Sequence, residues 1–384
     1  MRRLTVIVLL LLLYAPATHC LLSKAEGTSF PVSVPFDAYG TFVIVPVRIN
    51  GSPQLSFILD TGVRMTQVNA RLKNTLALGK SRRATLEVAG VVLKNSHIHT
   101  PSFDDLEGAL GRHIDGLFGY DFFRRFVVEI DYQSRRLTLY DPQTYQYKGA
   151  EQPIHIRISD GCPFISGTLE LRDGKSVSAA GFELDTGSTG SLELYADFVQ
   201  HKRLLESAGP TITDSAWSAG GQHEELVGRV EKFQLGYFTL RNPIVNFPGK
   251  GTVNFGPSEA VGLIGAQILQ RFKVILDYTH RWLILEPNEG LTAAFEWDMS
   301  GILLNTVGSD FSRYEISGVL ERSPGAEAGI REGDTLIAID GTPVAKLGLS
   351  KIEGLFKQEG REFRLEIQRN EQNFEIRLKT RRLV

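Results

Sequence analysis

Two aspartates stand in the same short frame, "FILDTGV" at residues 57–63 and "FELDTGSTG" at 182–190. A carboxylate can serve as base, acid, nucleophile or metal ligand. Metal binding would want histidines or further carboxylates at close spacing, and neither frame has them. If Asp60 and Asp185 meet, two charges about 4 Å apart repel by roughly 4 kcal/mol at an effective dielectric of 20. That equals about 3 pKa units, so the pair shares one proton at moderate pH. The charged member can take a proton from water while the neutral one hydrogen-bonds a substrate carbonyl. Such a pair suits peptide hydrolysis without a covalent intermediate and calls for no metal and no cofactor.

The neighbouring residues fit that reading. Gly62 and Gly187 let the chain turn back so that each carboxylate reaches backbone N–H groups. Thr61 and Thr186 can hydrogen-bond across an axis between the copies and hold the pair flat. Ser188 can donate to the outer oxygen of Asp185, whereas Val63 offers Asp60 nothing. The negative charge is therefore expected on Asp185 and the proton on Asp60. Glu183 is the one acid within two residues of either aspartate, and strand alternation turns it to the face opposite Leu184.

For the two frames to meet, the elements around them must match, and they do. "TFVIVPVRINGSPQLSFILDTG" and "FISGTLELRDGKSVSAAGFELDTG" each read as strand, tight turn and strand, with turns at Asn50-Gly51 and Asp173-Gly174. Downstream, "IDGLFGYDFFRRFVVEIDYQSRRLTLYDP" matches "AVGLIGAQILQRFKVILDYTHRWLILEP". Self-similarity of this length is an internal duplication. The interval from Gly116 to Gly262 equals that from Asp131 to Asp277 and exceeds that from Asp60 to Asp185. The second copy thus carries extra residues after its Asp-Thr-Gly. Each copy is short alternating strands with one brief helix, at "YDFFRRF" or "AQILQRF", which makes a β-rich lobe. The pattern breaks near "YQYKGAEQP".

A third unit starts near residue 290. "EISGVLERSPGAEAGIREGDTLIAIDGTPV" gives strand, turn, short helix, turn, strand and Asp340-Gly341. A helix at 349–358 and two closing strands follow.

The 384-residue chain has a net charge of −2 with both signs interspersed, so it carries no electrostatic footprint for nucleic acid. "RLKTRRLV" alternates basic with apolar residues, as a solvated strand edge does. Arg2 and Arg3, an apolar run from Val6 to Leu13 and "APA" at 15–17 have the order of a secretory signal, placed at 1–20. The run is short for a membrane span; left uncleaved, 4–22 would act as an anchor. His19 stands where a lipoprotein reading of Cys20 wants a small residue. Cleavage leaves Cys162 alone, which excludes an internal disulfide framework.

Residues 40–287 resemble two fused retropepsin-like aspartic protease units of the bacterial secreted type. The resemblance lies in "ILDTG" with "IDGLFG" and "ELDTG" with "AVGLIG". Glu183 and Asp115 depart from its pattern. Residues 300–384 resemble a PDZ domain of the bacterial protease-associated type, through "RSPGAEAGIREGDTLIAIDG". Together these imply a mainly β chain: two pseudo-two-fold-related acid-protease-type lobes at 28–148 and 149–288, then a small α+β PDZ domain at 289–384. They imply a single-chain monomeric endopeptidase, secreted or periplasmic, acting on peptide or protein through Asp60 and Asp185. A peptide C-terminus would add a strand beside Gly301, Ile302, Leu303 and Leu304, against the helix at 349–358. The carboxylate-holding loop, at "SGILL", fits its family pattern only loosely.

A substrate-covering hairpin is expected in "SAWSAGGQHEELVGRV", with Gly220 and Gly221 at its tip, and a shorter basic loop, "LALGKSRRATLEV", in the first copy. Two rival readings remain. One is a non-catalytic peptide-binding protein using cleft and PDZ domain; the other is a structural β-module around a PDZ scaffold.

Overall fold

The computed structural model describes residues 29–79, 82–218, 221–249 and 259–384. The segment expected as a signal, 1–20, and Gly220 lie outside the described residues. Among the described residues the strands form four sheets.

The first hairpin pairs Phe42–Ile49 with Leu55–Leu59. Asn50 and Gly51 both take positive φ, 50° and 77°, as a type I′ turn requires. Its counterpart pairs Cys162–Glu170 with Ser176–Leu184. Here only Gly174 is left-handed (φ 84°). The expected two-residue turn is replaced by a wider one, because the Asp173 carboxylate accepts the Lys175 amide (2.9 Å). In both lobes the second hairpin strand runs straight into Asp-Thr-Gly. Beside it lies a short parallel strand, Gly116–Phe118 or Gly262–Ile264. A four-residue helix follows each, Tyr120–Phe123 and Ala266–Leu269.

A six-stranded sheet joins the copies, in the order Val32–Pro35, Arg136–Tyr140, Val127–Asp131, Phe272–Asp277, Trp282–Pro287, Ile154–His155. Its two middle strands are equivalent strands of the two copies, and they pair antiparallel. The pseudo-two-fold axis therefore passes between them. Val128, Ile130, Val274 and Leu276 are buried there in a core continuous with both lobes. Burial of this apolar surface holds the halves together at roughly 25 cal/mol per Å².

The extra residues of the second copy form the antiparallel hairpin Ile212–Ser218 and Gly221–Arg229. The first lobe has a 3-10 turn at Ala70–Leu72 and further turns in the same interval.

The C-terminal unit orders its strands Ile302–Val307, Arg313–Val319, Thr335–Ile339, Glu362–Arg369, Gln372–Lys379. Leu336, Ile352, Phe356, Phe363 and Leu365 make its own core. Its short helix Pro324–Glu327 is started by Ser323, whose hydroxyl accepts the Ala326 amide (3.2 Å). The connection to the second lobe is clamped. The Arg271 guanidinium donates to the carbonyls of Gly290, Ala293 and Ala294 and stacks on Phe295. Arg229 donates to Val384 O (3.1 Å) and Phe295 O (2.9 Å), tying down the chain end. Among the described residues no helix is long and apolar enough to cross a membrane.

Candidate active site

Asp60 and Asp185 come from equivalent strand ends. The amide of each is held by the neighbouring parallel strand, Asp60 N to Phe118 O and Asp185 N to Ile264 O, both 3.0 Å. The glycine two residues on donates to each carboxylate: Gly62 N to Asp60 Oδ1 at 2.9 Å and Gly187 N to Asp185 Oδ1 at 2.8 Å. The two carboxyls face one another across the axis, each beside the other lobe's glycine.

Thr61 and Thr186 are wholly buried. Thr61 N donates to Thr186 Oγ1 (3.1 Å) and Thr186 N to Thr61 Oγ1 (3.0 Å). Each hydroxyl then donates to the opposite lobe, to Leu184 O (2.5 Å) and Leu59 O (2.8 Å). Four bonds between buried partners therefore fix one aspartate relative to the other. Side-chain crowding adds to this. A Cβ on Gly187 would come within 2.4 Å of Asp60 Cγ, and one on Gly62 within 3.0 Å of Asp185 Oδ2.

Burial, then the charge of Asp185, holds the Asp60 carboxyl well above the usual carboxylate range. Asp185 is also raised by burial, but the Gly187 amide, the proton of Asp60 and the Ser188 amide pull it back. Both carboxyls are therefore held above the usual range, as two carboxyls sharing one buried site must be.

Ser188 supports Asp185 differently from the expectation. Its backbone N–H donates to the Asp185 carbonyl (3.4 Å) and lies near enough to the carboxyl to pull it down, while its Oγ accepts the Gly190 amide (3.3 Å). The hydroxyl thus serves the turn at 188–190 as an acceptor, and no hydrogen bond from it to Asp185 is present among the described residues.

Two residues not singled out as site residues, Glu183 and Cys162, lie beside the pair, and a third, Asp121, braces the loop that leaves Asp60. Glu183 is buried, and burial followed by the charge of Asp185 pushes its carboxyl up to about 7, against the pull of its bond to Cys162. The Cys162 thiol faces both that carboxyl and Gly62 O (3.6 Å), and burial pushes it up. Asp121 accepts Thr66 N (2.7 Å) and Thr66 Oγ1 (2.9 Å), fixing the loop that leaves Asp60. Glu183 was visible as the acid at an apolar place; Cys162 and Asp121 carried no sequence signal.

The hairpin 212–229 begins its second strand at Gly221. Gly301 (φ 71°) leads into the edge strand Ile302–Val307, where Ile302 is buried, Leu304 packs on the core, and the pairing slips between Leu303 and Leu304.

Residues 315–369 match the family model of the PDZ domain, so the C-terminal unit is a PDZ domain. A search of curated protein sequences found no match. Among solved structures, the chain is similar to the photosystem II D1 C-terminal processing protease at 17% identity and a TM-score of 0.22. That likeness covers 23% of this chain and 24% of that one, so the chain spans about a quarter of its length. An aspartic proteinase from Irpex lacteus is similar over 69% of this chain and 99% of its own, at 14% identity and a TM-score of 0.44. The HtrA3 PDZ domain, bound to a phage-derived ligand, is similar over 21% of this chain and 83% of its own, at 20% identity and a TM-score of 0.19.

Proposed function

We propose that the chain is an aspartic endopeptidase in which Asp60 and Asp185 are the catalytic pair and act on peptide or protein. The observation that carries this is the meeting of two half-buried carboxyls across the pseudo-axis, each backed by a glycine amide and held by the threonine exchange. In this reading Asp185, charged, takes a proton from a water set between the carboxyls. That water attacks the carbonyl carbon while Asp60 donates its proton to the carbonyl oxygen. The resulting diol collapses as a proton passes to the amide nitrogen and the C–N bond breaks. Fixed geometry supplies the rate, since oriented groups avoid the entropy of assembling them.

The hairpin 212–229 supports a covering role at the cleft, and the 1–20 segment supports a secreted or periplasmic setting. Because both aspartates belong to one chain, the activity is intramolecular. The test is digestion of casein between pH 3 and 7, with and without pepstatin, beside Asp185→Asn. Hydrolysis blocked by pepstatin and absent in the variant is expected, with specific activity constant on dilution to nanomolar enzyme. Cleavage that survives in Asp185→Asn would sink the reading.

A further inference from the structure

A peptide end captured by a PDZ domain needs two things: a free sheet edge to join, and backbone amides to hold its carboxylate. The edge here is Ile302–Val307, flanked by Leu349–Phe356, whose Leu349, Ile352 and Phe356 share its core with Ile302. The amides at its start are those of Ser300, Gly301 and Ile302.

All three are already taken. Asp298 Oδ1 accepts Ser300 N (2.9 Å) and Gly301 N (2.6 Å), and also the Ser300 hydroxyl (2.8 Å). Ser300 Oγ in turn accepts Ile302 N (3.0 Å). A carboxylate thus sits on two of these amides and, through the Ser300 hydroxyl, reaches the third, and it belongs to the chain itself.

The far end of the groove is occupied as well. The first-lobe helix Asp104–Leu110 packs against the edge strand. Thr306 Oγ1 donates to Gly108 O (2.6 Å). A Cβ on Gly111 would meet Thr306 Cγ2 at 2.8 Å and Leu349 Cβ at 3.3 Å, so this segment stands between strand and helix. The Tyr39 hydroxyl donates to Leu110 O (2.6 Å) and meets the Ser350 backbone, and His113 packs edge-on against Phe311.

We infer that this PDZ groove is closed by its own chain at both ends. Asp298 stands in for the ligand carboxylate and residues 108–111 stop the groove near Thr306. A peptide C-terminus enters only by displacing Asp298, and even then about five residues fit before the first lobe, at roughly 3.3 Å per residue.

The test is fluorescence anisotropy on the full chain carrying Asp60→Asn, so that no peptide is cut whatever the dyad does. The probes are labelled random pentapeptides with a free C-terminal carboxylate, the same pool as C-terminal amides, and random decapeptides with a free carboxylate. The chain with Asp298 intact should not distinguish acid from amide. Asp298→Ala should bind the acid pool at least tenfold more tightly than the amide pool, whereas Asp298→Asn, whose side-chain oxygen still accepts both amides, should stay closed. In Asp298→Ala the decapeptides should gain less than threefold over the pentapeptides. If Asp298→Ala loses its thermal transition, Asp298→Gly replaces it. A tenfold acid preference with Asp298 intact, or none in either opened variant, overturns the carboxylate stand-in. A larger decapeptide gain overturns the stop at residues 108–111.

Discussion

Glu183 stands in the second lobe where Ile58 stands in the first. Each precedes its aspartate by two residues, and each pairs in parallel register with the leucine of the neighbouring strand, Leu263 or Leu117. Ile58 is buried among Phe42, Ile44 and Leu117, while Glu183 meets Cys162 and lies near Asp185. The duplication has thus kept the backbone and exchanged an apolar contact for an ionisable one beside the dyad.

That exchange has a pH signature. Burial holds the Glu183 carboxyl at about 7, above its ordinary 4.5. A carboxyl raised in the fold contributes its full stability below the unfolded value and loses it as pH climbs through the folded one. The loss therefore falls between about pH 4.5 and 7 and amounts to roughly 3 kcal/mol. Glu183→Gln should match the parent at pH 4 and exceed it at pH 8, measured by urea unfolding. An equal difference at both pH values would show that Glu183 titrates normally.

The threonine exchange gives a second expectation. Thr61→Val removes the acceptor of Thr186 N and the donor to Leu184 O, leaving two buried groups unpaired. At about 1–3 kcal/mol each, the cost is roughly 2–6 kcal/mol. Thr61→Ser keeps both bonds and should retain most of the stability. If serine proves as damaging as valine, the methyl packing rather than the hydrogen bonds holds the dyad.

The two glycines are not equivalent. An alanine Cβ at position 187 would press on Asp60 Cγ at 2.4 Å, whereas at 62 it would touch Asp185 Oδ2 at 3.0 Å. Displacing a reacting group by about 1 Å costs on the order of a hundredfold in rate. Gly187→Ala should therefore lower kcat by about that factor and Gly62→Ala by several-fold, with little change in thermal stability. The reverse order in steady-state kinetics would contradict the geometry.

How much of this was legible in the sequence depends on the range of each interaction. The duplicated hairpins, the brief helices and the Asp340-Gly341 turn rest on local chemistry, and residues such as Asn50, Gly51 and Ser323 announce them. The pairing of Val127–Asp131 with Phe272–Asp277 joins segments that are each simply apolar strands. Nothing local to either one names the other. The same holds for Thr306 and Gly108, 198 residues apart, whose bond arises only once both domains are folded. Asp173 misled for a different reason. Its side chain competes with the backbone for the turn, an outcome that the Asp-Gly pair alone does not decide.

Ser188 tests whether the dyad's asymmetry is made by side chain or backbone. A hydroxyl donating to Asp185 would stabilise its charge by about 1.5–3 kcal/mol, so Ser188→Ala would move the acid limb of kcat/KM toward neutral by roughly 1–2 units. In the fold the hydroxyl accepts Gly190 N (3.3 Å) and makes no described bond to Asp185, and the group drawing on the Asp185 carboxyl is the Ser188 amide, itself bonded to Asp185 O (3.4 Å). Alanine keeps that amide. The acid limb of Ser188→Ala should therefore stay within about 0.3 units of the parent. The freed Gly190 amide loosens the turn, so a modest loss of stability is expected, about 0.5–1.5 kcal/mol. The two effects separate cleanly, because one is read from the pH dependence of kcat/KM and the other from urea unfolding. A shift of a full unit toward neutral would return the hydroxyl to the dyad and overturn the backbone account.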